Sequence, residues 1–158
     1  MEWQTVCEDP LLRDLPYKIE LNEYGAMVMS PASNKHGLIQ IALAIMISKI
    51  ITSGKLIAEC SISTKKGIKV PDLIWASDEF MQENGTSTPY LMAPEICIEI
   101  FSPSNSRDEM MEKKDLYFMK GAREFWLCSE DGNIEIHDYK GRRKISAIWP
   151  DCPLQVIP

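Results

Sequence analysis

The eight residues Pro94–Phe101, Pro-Glu-Ile-Cys-Ile-Glu-Ile-Phe, constrain this chain more than any other stretch. Ile96, Ile98 and Ile100 alternate with Glu95, Cys97, Glu99 and Phe101, which predicts a strand with the isoleucines on one face. A strand this apolar is normally covered on both sides. Glu99 then sits between Cys97 and Phe101, a poor position for a charge. A carboxylate there needs a partner, a proton or a metal ion.

The pattern elsewhere supplies the surroundings. Tyr17–Leu21 and Ala26–Ser30 read as a hairpin turning at Asn22–Gly25, with Gly25 supplying a positive φ. Ser33 and Asn34 are N-cap candidates for a helix over about 35–53. Its middle is apolar almost all round, which predicts a helix sandwiched inside the fold. Strands are expected at Lys55–Ser63 and Ile68–Ala76, then a short helix and polar loop over Ser77–Tyr90. After the glutamate strand, a helix over about 107–120 carries a capping box, Ser106 with Glu109, and Gly121 at C′. Glu124–Cys128, Asn133–Tyr139 and Ile145–Trp149 complete the strands, and residues 1–16 read as an irregular lead-in. The class is α/β, a mixed β-sheet flanked by helices. A length of 158 residues suits one domain spanning 1–158.

Composition narrows the partners. A net charge of −6 argues against a broad basic surface, so any nucleic-acid contact has to be local. The five cysteines, Cys7, Cys60, Cys97, Cys128 and Cys152, are widely spaced and odd in number, which favours free thiols over disulfides or a zinc knuckle. The first residues lack the basic start and apolar core of a signal peptide, and the apolar run Leu38–Ile47 is too short to span a bilayer. A cytoplasmic location with no membrane association is expected.

Three residues have the chemistry of a phosphoryl-transfer site. Asp72 follows Pro71 at the start of a strand, where folding does not require an acid. Glu99 lies within the next long strand. On the following helix Lys113 falls between Leu116 and Tyr117 on the wheel and faces the sheet, while Glu112 and Asp115 face away. Carboxylates hold a hard divalent ion, the ion lowers the pKa of a bound water, and an ammonium orients that water or neutralises developing charge. Each residue also has a plainer reading. Asp72 is alternatively a solvated strand-end acid, Glu99 and Lys113 a structural ion pair, and Lys113 a side chain snorkelling past apolar neighbours. His36 and Gln40, four apart, share a helix face. Two readings stand for His36: a group aimed at the site, or a helix-start residue bonded to a nearby carbonyl. Glu20 is either a third acid near the site or an exposed hairpin residue.

Several segments together resemble the Uma2 family. They are Lys18-Ile19-Glu20-Leu21-Asn22-Glu23-Tyr24-Gly25, Met29–Gly37, Val70-Pro71-Asp72-Leu73, Glu99–Asn105, Glu112-Lys113, Tyr117 and Gly121-Ala122-Arg123-Glu124-Phe125-Trp126, in the family's order over about 17–140. The resemblance implies a PD-(D/E)XK restriction-endonuclease-like core and metal-dependent hydrolysis of DNA phosphodiesters, with Mg²⁺ or Mn²⁺ as cofactor. Asp72 matches the acid of the Pro-Asp motif and Glu99 the second acid, together the implied metal ligands. Phe101 stands where a Glu-X-Lys pattern would place lysine, and Lys113 matches the lysine the family carries on the next helix. Glu20, His36 and Gln40 are further candidates. A homodimer or higher homo-oligomer is also expected, through the Trp126 strand or the apolar C-terminal segment. The rival reading is a restriction-endonuclease-like fold that has lost catalysis and serves as a binding or assembly module.

Overall fold

A computed structural model describes residues 1–158. From the N-terminus come helix α1 (Trp3–Glu8), a 3-10 turn at Pro10–Leu12, and a hairpin of β1 (Tyr17–Leu21) and β2 (Met27–Pro31). Helix α2 (Asn34–Ser48) leads to β3 (Lys55–Ala58), a small hairpin of β4 (Ile62–Thr64) and β5 (Gly67–Lys69), and β6 (Leu73–Ala76). Helix α3 (Asp78–Asn84), β7 (Ile96–Phe101) and helix α4 (Arg107–Met119) follow, then β8 (Glu124–Ser129), β9 (Ile134–Asp138) and β10 (Gly141–Arg143).

Six strands form the central sheet in the order β10-β9-β8-β7-β6-β3, and the two hairpins form separate two-stranded sheets. Within the sheet β7 and β8 are parallel and every other neighbouring pair is antiparallel. A parallel pair needs a crossover, and α4 supplies it. That helix begins at the expected capping box of Ser106 and Glu109, and Gly121 follows its end with φ +104°.

The alternation in β7 assigns the two faces of the sheet. Ile96, Ile98 and Ile100 pack with Ile39, Leu43 and Ile47 of α2 and with Trp126. Cys97 faces the other side, among Met110 and Tyr117 of α4, Phe125 and Leu127. Each fully buried aliphatic side chain contributes about 1.5–3 kcal/mol, so these two layers hold β7 in register. The fold is a mixed α/β sheet flanked by helices.

Four expectations need correction. Helix α2 ends at Ser48 and lies on the sheet, because Ile39, Leu43 and Ile47 are fully buried while Leu38, Ile41 and Ile45 are 55%, 62% and 51% exposed. Apolar residues all round hid which face was covered. The two long strands are interrupted, the first at Glu59 in a left-handed conformation (φ 52°), the second at Val70–Asp72. Ile145–Trp149 is irregular: the amides of Ala147 and Ile148 donate to the Glu124 carboxylate in place of a ladder. The lead-in contains α1, whose Val6 packs with Leu21, Ile68 and Val70 and anchors the first hairpin. Gly67 tightens this junction, since a Cβ there would press into the carbonyls of Leu21 and Asn22.

All five cysteines are free thiols, four of them buried. No helix is long and apolar enough to cross a membrane. Trp126 is fully buried, and its strand β8 lies inside the sheet between β7 and β9.

Candidate active site

Asp72 sits where the chain enters β6, and Glu99 lies on the neighbouring β7. Both are buried, each only 2% exposed. They are linked through the main chain: Ile100 N–H, one residue beyond Glu99, donates to Asp72 Oδ2 at 2.7 Å. The Asp72 carbonyl is fixed too, accepting Gln40 Nε2 at 2.7 Å and Glu59 N–H at 3.3 Å. Gln40 therefore positions the Asp72 backbone and does not reach the carboxylates.

The remaining carboxylate oxygens converge on cations. Lys18 Nζ, from β1, lies 2.7 Å from Asp72 Oδ1 and 3.3 Å from Glu99 Oε2. His36 Nε2, in the first turn of α2, is 3.2 Å from the same Asp72 Oδ1. Ser33 caps that turn by accepting the His36 N–H, which sets the imidazole's approach. Lys113 faces the sheet as its place on the wheel predicts, with Nζ 3.2 Å from Glu99 Oε1 and 2.8 Å from Glu20 Oε1. Glu20 Oε1 also accepts the Val70 N–H at 2.8 Å, while its Oε2 accepts nothing within the protein. Tyr117 O–H completes the shell around Glu99, donating to Oε1 at 2.6 Å.

Three carboxyls, two ammoniums and an imidazole thus share one site, and burial decides how each holds its proton. Glu99 is raised above the usual carboxylate range, because complete burial outweighs the attraction of Lys113 and Lys18. Burial acts on Asp72 as well, yet Lys18 and His36 hold it well below that range. Glu20 is likewise lowered against burial, by Lys113 and Lys18. His36 is raised by its bond to Asp72, which favours the imidazolium. Burial pushes the Tyr117 phenol well up, so it remains a neutral donor.

A cavity of about 300 Å³ opens onto these groups. Lys18, Glu20, His36, Asp72, Glu99 and Lys113 form its polar wall. The turn after β7, with Ser102, Ser104 and Asn105, and Tyr17 with Pro31 of the hairpin also line it. The residues fit a hard divalent ion in part. Two carboxylates from adjacent strands already share one cation, the Lys18 ammonium, through oxygens of the kind Mg²⁺ prefers. No three His, Cys, Asp or Glu side chains are grouped to hold an ion, so water or substrate oxygens would complete its shell.

The structure brings Asp72, Glu99, Lys113, Glu20 and His36 together, with Gln40 one step behind. Sequence reasoning passed over Lys18. Its signal was the i, i+2 spacing to Glu20, which puts both side chains on one face of β1. Phe101, at the Glu-X-Lys position, packs against the core layer containing Cys97 and Tyr117.

A mixed sheet presenting acids from two adjacent strands, with a lysine returning on the crossover helix, is an arrangement suited to phosphodiester hydrolysis. Its fold matches a crystal structure from Anabaena variabilis, described as "a putative nuclease", with a TM-score of 0.65 and 21% identity over 76% of this chain and 71% of that one. The sequence profile of the Uma2 family, "Putative restriction endonuclease", matches residues 10–146. The chain belongs to the Uma2 family. No curated protein matches it significantly in sequence.

Proposed function

We propose that this chain is a divalent-metal-dependent endonuclease acting on DNA, with Asp72 and Glu99 holding Mg²⁺ or Mn²⁺. The observation that carries this reading is the convergence of Asp72 Oδ1 and Glu99 Oε2 on one cationic point at the wall of an open cavity. When bound, the ion would supply a Lewis acid for the phosphate and a water of lowered pKa. Lys113, held between Glu99 and Glu20, neutralises charge developing on the phosphate and orients the attacking water. Glu20 Oε2, with no donor of its own, is placed to accept a proton from that water. His36 keeps Asp72 ionised and turned toward the cavity. Gln40 and Ile100 N–H fix the Asp72 main chain and carboxylate, so the acids meet the ligand already aligned.

The test is cleavage of plasmid and linear DNA with Mg²⁺ or Mn²⁺, alongside RNA and a small phosphodiester. Asp72→Asn and Glu99→Gln should each lower the rate at least about 100-fold while the circular dichroism spectrum is kept. Cleavage at the wild-type rate by Asp72→Asn would remove Asp72 from the mechanism.

A second reading has its own support. Lys18 already bridges both acids, and the chain carries a net charge of −6, which suits a binding or assembly module without catalysis. Absence of cleavage together with absence of Mn²⁺ binding favours that reading.

A further inference from the structure

We propose that Lys18 is a built-in competitor for the cation site, so that a divalent ion and the Lys18 ammonium exclude one another there. This rests on the reading of Asp72 and Glu99 as metal ligands.

Asp72 Oδ2 is taken by Ile100 N–H, and Glu99 Oε1 by Tyr117 O–H and Lys113. The oxygens left for a shared ion are Asp72 Oδ1 and Glu99 Oε2, and both are bonded to Lys18 Nζ. An ion bridging the two acids therefore has to take the place of that ammonium. Two cations at contact distance in a buried site repel strongly, which sharpens the exclusion. His36, the other partner of Asp72 Oδ1, approaches from α2 and makes no bond to Glu99, so it does not lie between the acids. Lys113 is also differently placed, because its bond to Glu20 survives the arrival of an ion at the shared oxygens. The displaced Lys18 side chain stays at the cavity wall, where an anionic phosphate would meet it. Metal uptake and substrate capture would then be coupled: each phosphate that attracts Lys18 leaves the acids freer for the ion.

The experiment is calorimetric titration of the substrate-free protein with Mn²⁺, comparing wild type, Lys18→Met, Lys18→Gln and Lys113→Met. Both lysines contribute one positive charge beside Glu99, so Lys113→Met measures the general electrostatic effect. Relief of competition predicts at least tenfold tighter Mn²⁺ binding in Lys18→Met or Lys18→Gln than in wild type, and a clearly smaller gain in Lys113→Met. Lys18→Gln retains a polar group beside the buried acids and serves if Lys18→Met does not fold. Wild-type binding with no gain in the Lys18 variants, or an equal gain in Lys113→Met, overturns the competition while leaving the metal site standing. Failure of every form to bind Mn²⁺ overturns the metal reading itself, and the competition with it.

Discussion

The Tyr117 phenol donates to Glu99 Oε1 at 2.6 Å, joining the crossover helix to a buried acid of the site. Loss of a buried hydrogen bond to a charged group costs about 1.5–3 kcal/mol. Tyr117→Phe should lower unfolding stability by that amount in urea titrations. It should also weaken Mn²⁺ binding, because Glu99, already raised by burial, becomes harder to ionise. Unchanged stability would mean that Glu99 does not depend on this donor.

Acid should destabilise the protein through Asp72 and Glu20. Both are held below the ordinary carboxylate range, Asp72 by Lys18 and His36, Glu20 by Lys113 and Lys18, in each case against the opposing effect of burial. The unfolded chain therefore takes up their protons first. Their contribution is complete above the unfolded value of about 4 and fades as pH falls through the folded values. Glu99, raised by burial, and His36, raised by its bond to Asp72, work in the opposite direction, but their gain is made at higher pH and is largely complete before Asp72 and Glu20 begin to lose theirs. Urea midpoints for wild type should therefore fall between pH 5 and pH 3, the window below the unfolded carboxylate value, and Asp72→Asn should flatten that decline.

Helix α2 offers a clean contrast between its faces. Leu43→Ala removes a fully buried side chain from the layer against β7 and should cost about 2–5 kcal/mol. Ile41→Ala, on the open face, should stay within about 0.5 kcal/mol. Comparable losses at the two positions would show that the outer face is covered in solution, which sedimentation would then reveal as self-association.

Glu124 is buried like Glu99 yet has a different task. Its carboxylate accepts Trp126 Nε1, Ser146 Oγ and the amides of Ala147 and Ile148, tying the C-terminal segment to β8. Glu124→Ala strands these donors and should destabilise by about 3–5 kcal/mol, measured by denaturation. DNA cleavage per folded molecule should remain, because no bond from Glu124 reaches the acids of the cavity.

Much of this was legible in the chain itself. Period-two alternation in Ile96–Phe101 placed both core layers and isolated Glu99, and the helical wheel aimed Lys113 inward. Capping at Ser33 and Ser106 fixed two helix starts, since those signals are local. What escaped was set by contacts distant in sequence. Lys18 and Asp72 are 54 positions apart, and only the folded chain shows that the lysine bridges the acids. The exposed side of α2 was hidden because Leu38, Ile41 and Ile45 are as apolar as the residues they alternate with. Glu59 and the amides around Ala147 adopt conformations governed by partners, which no propensity reports.

The first hairpin forms no strand pair with the central sheet, yet it delivers Lys18 and Glu20 to acids that belong to the sheet. The sheet and the hairpin that supplies these charges are therefore separate parts of the fold. Substitutions in one short ribbon can change the charge balance of this pocket while every rung of the six-stranded ladder stays as it is.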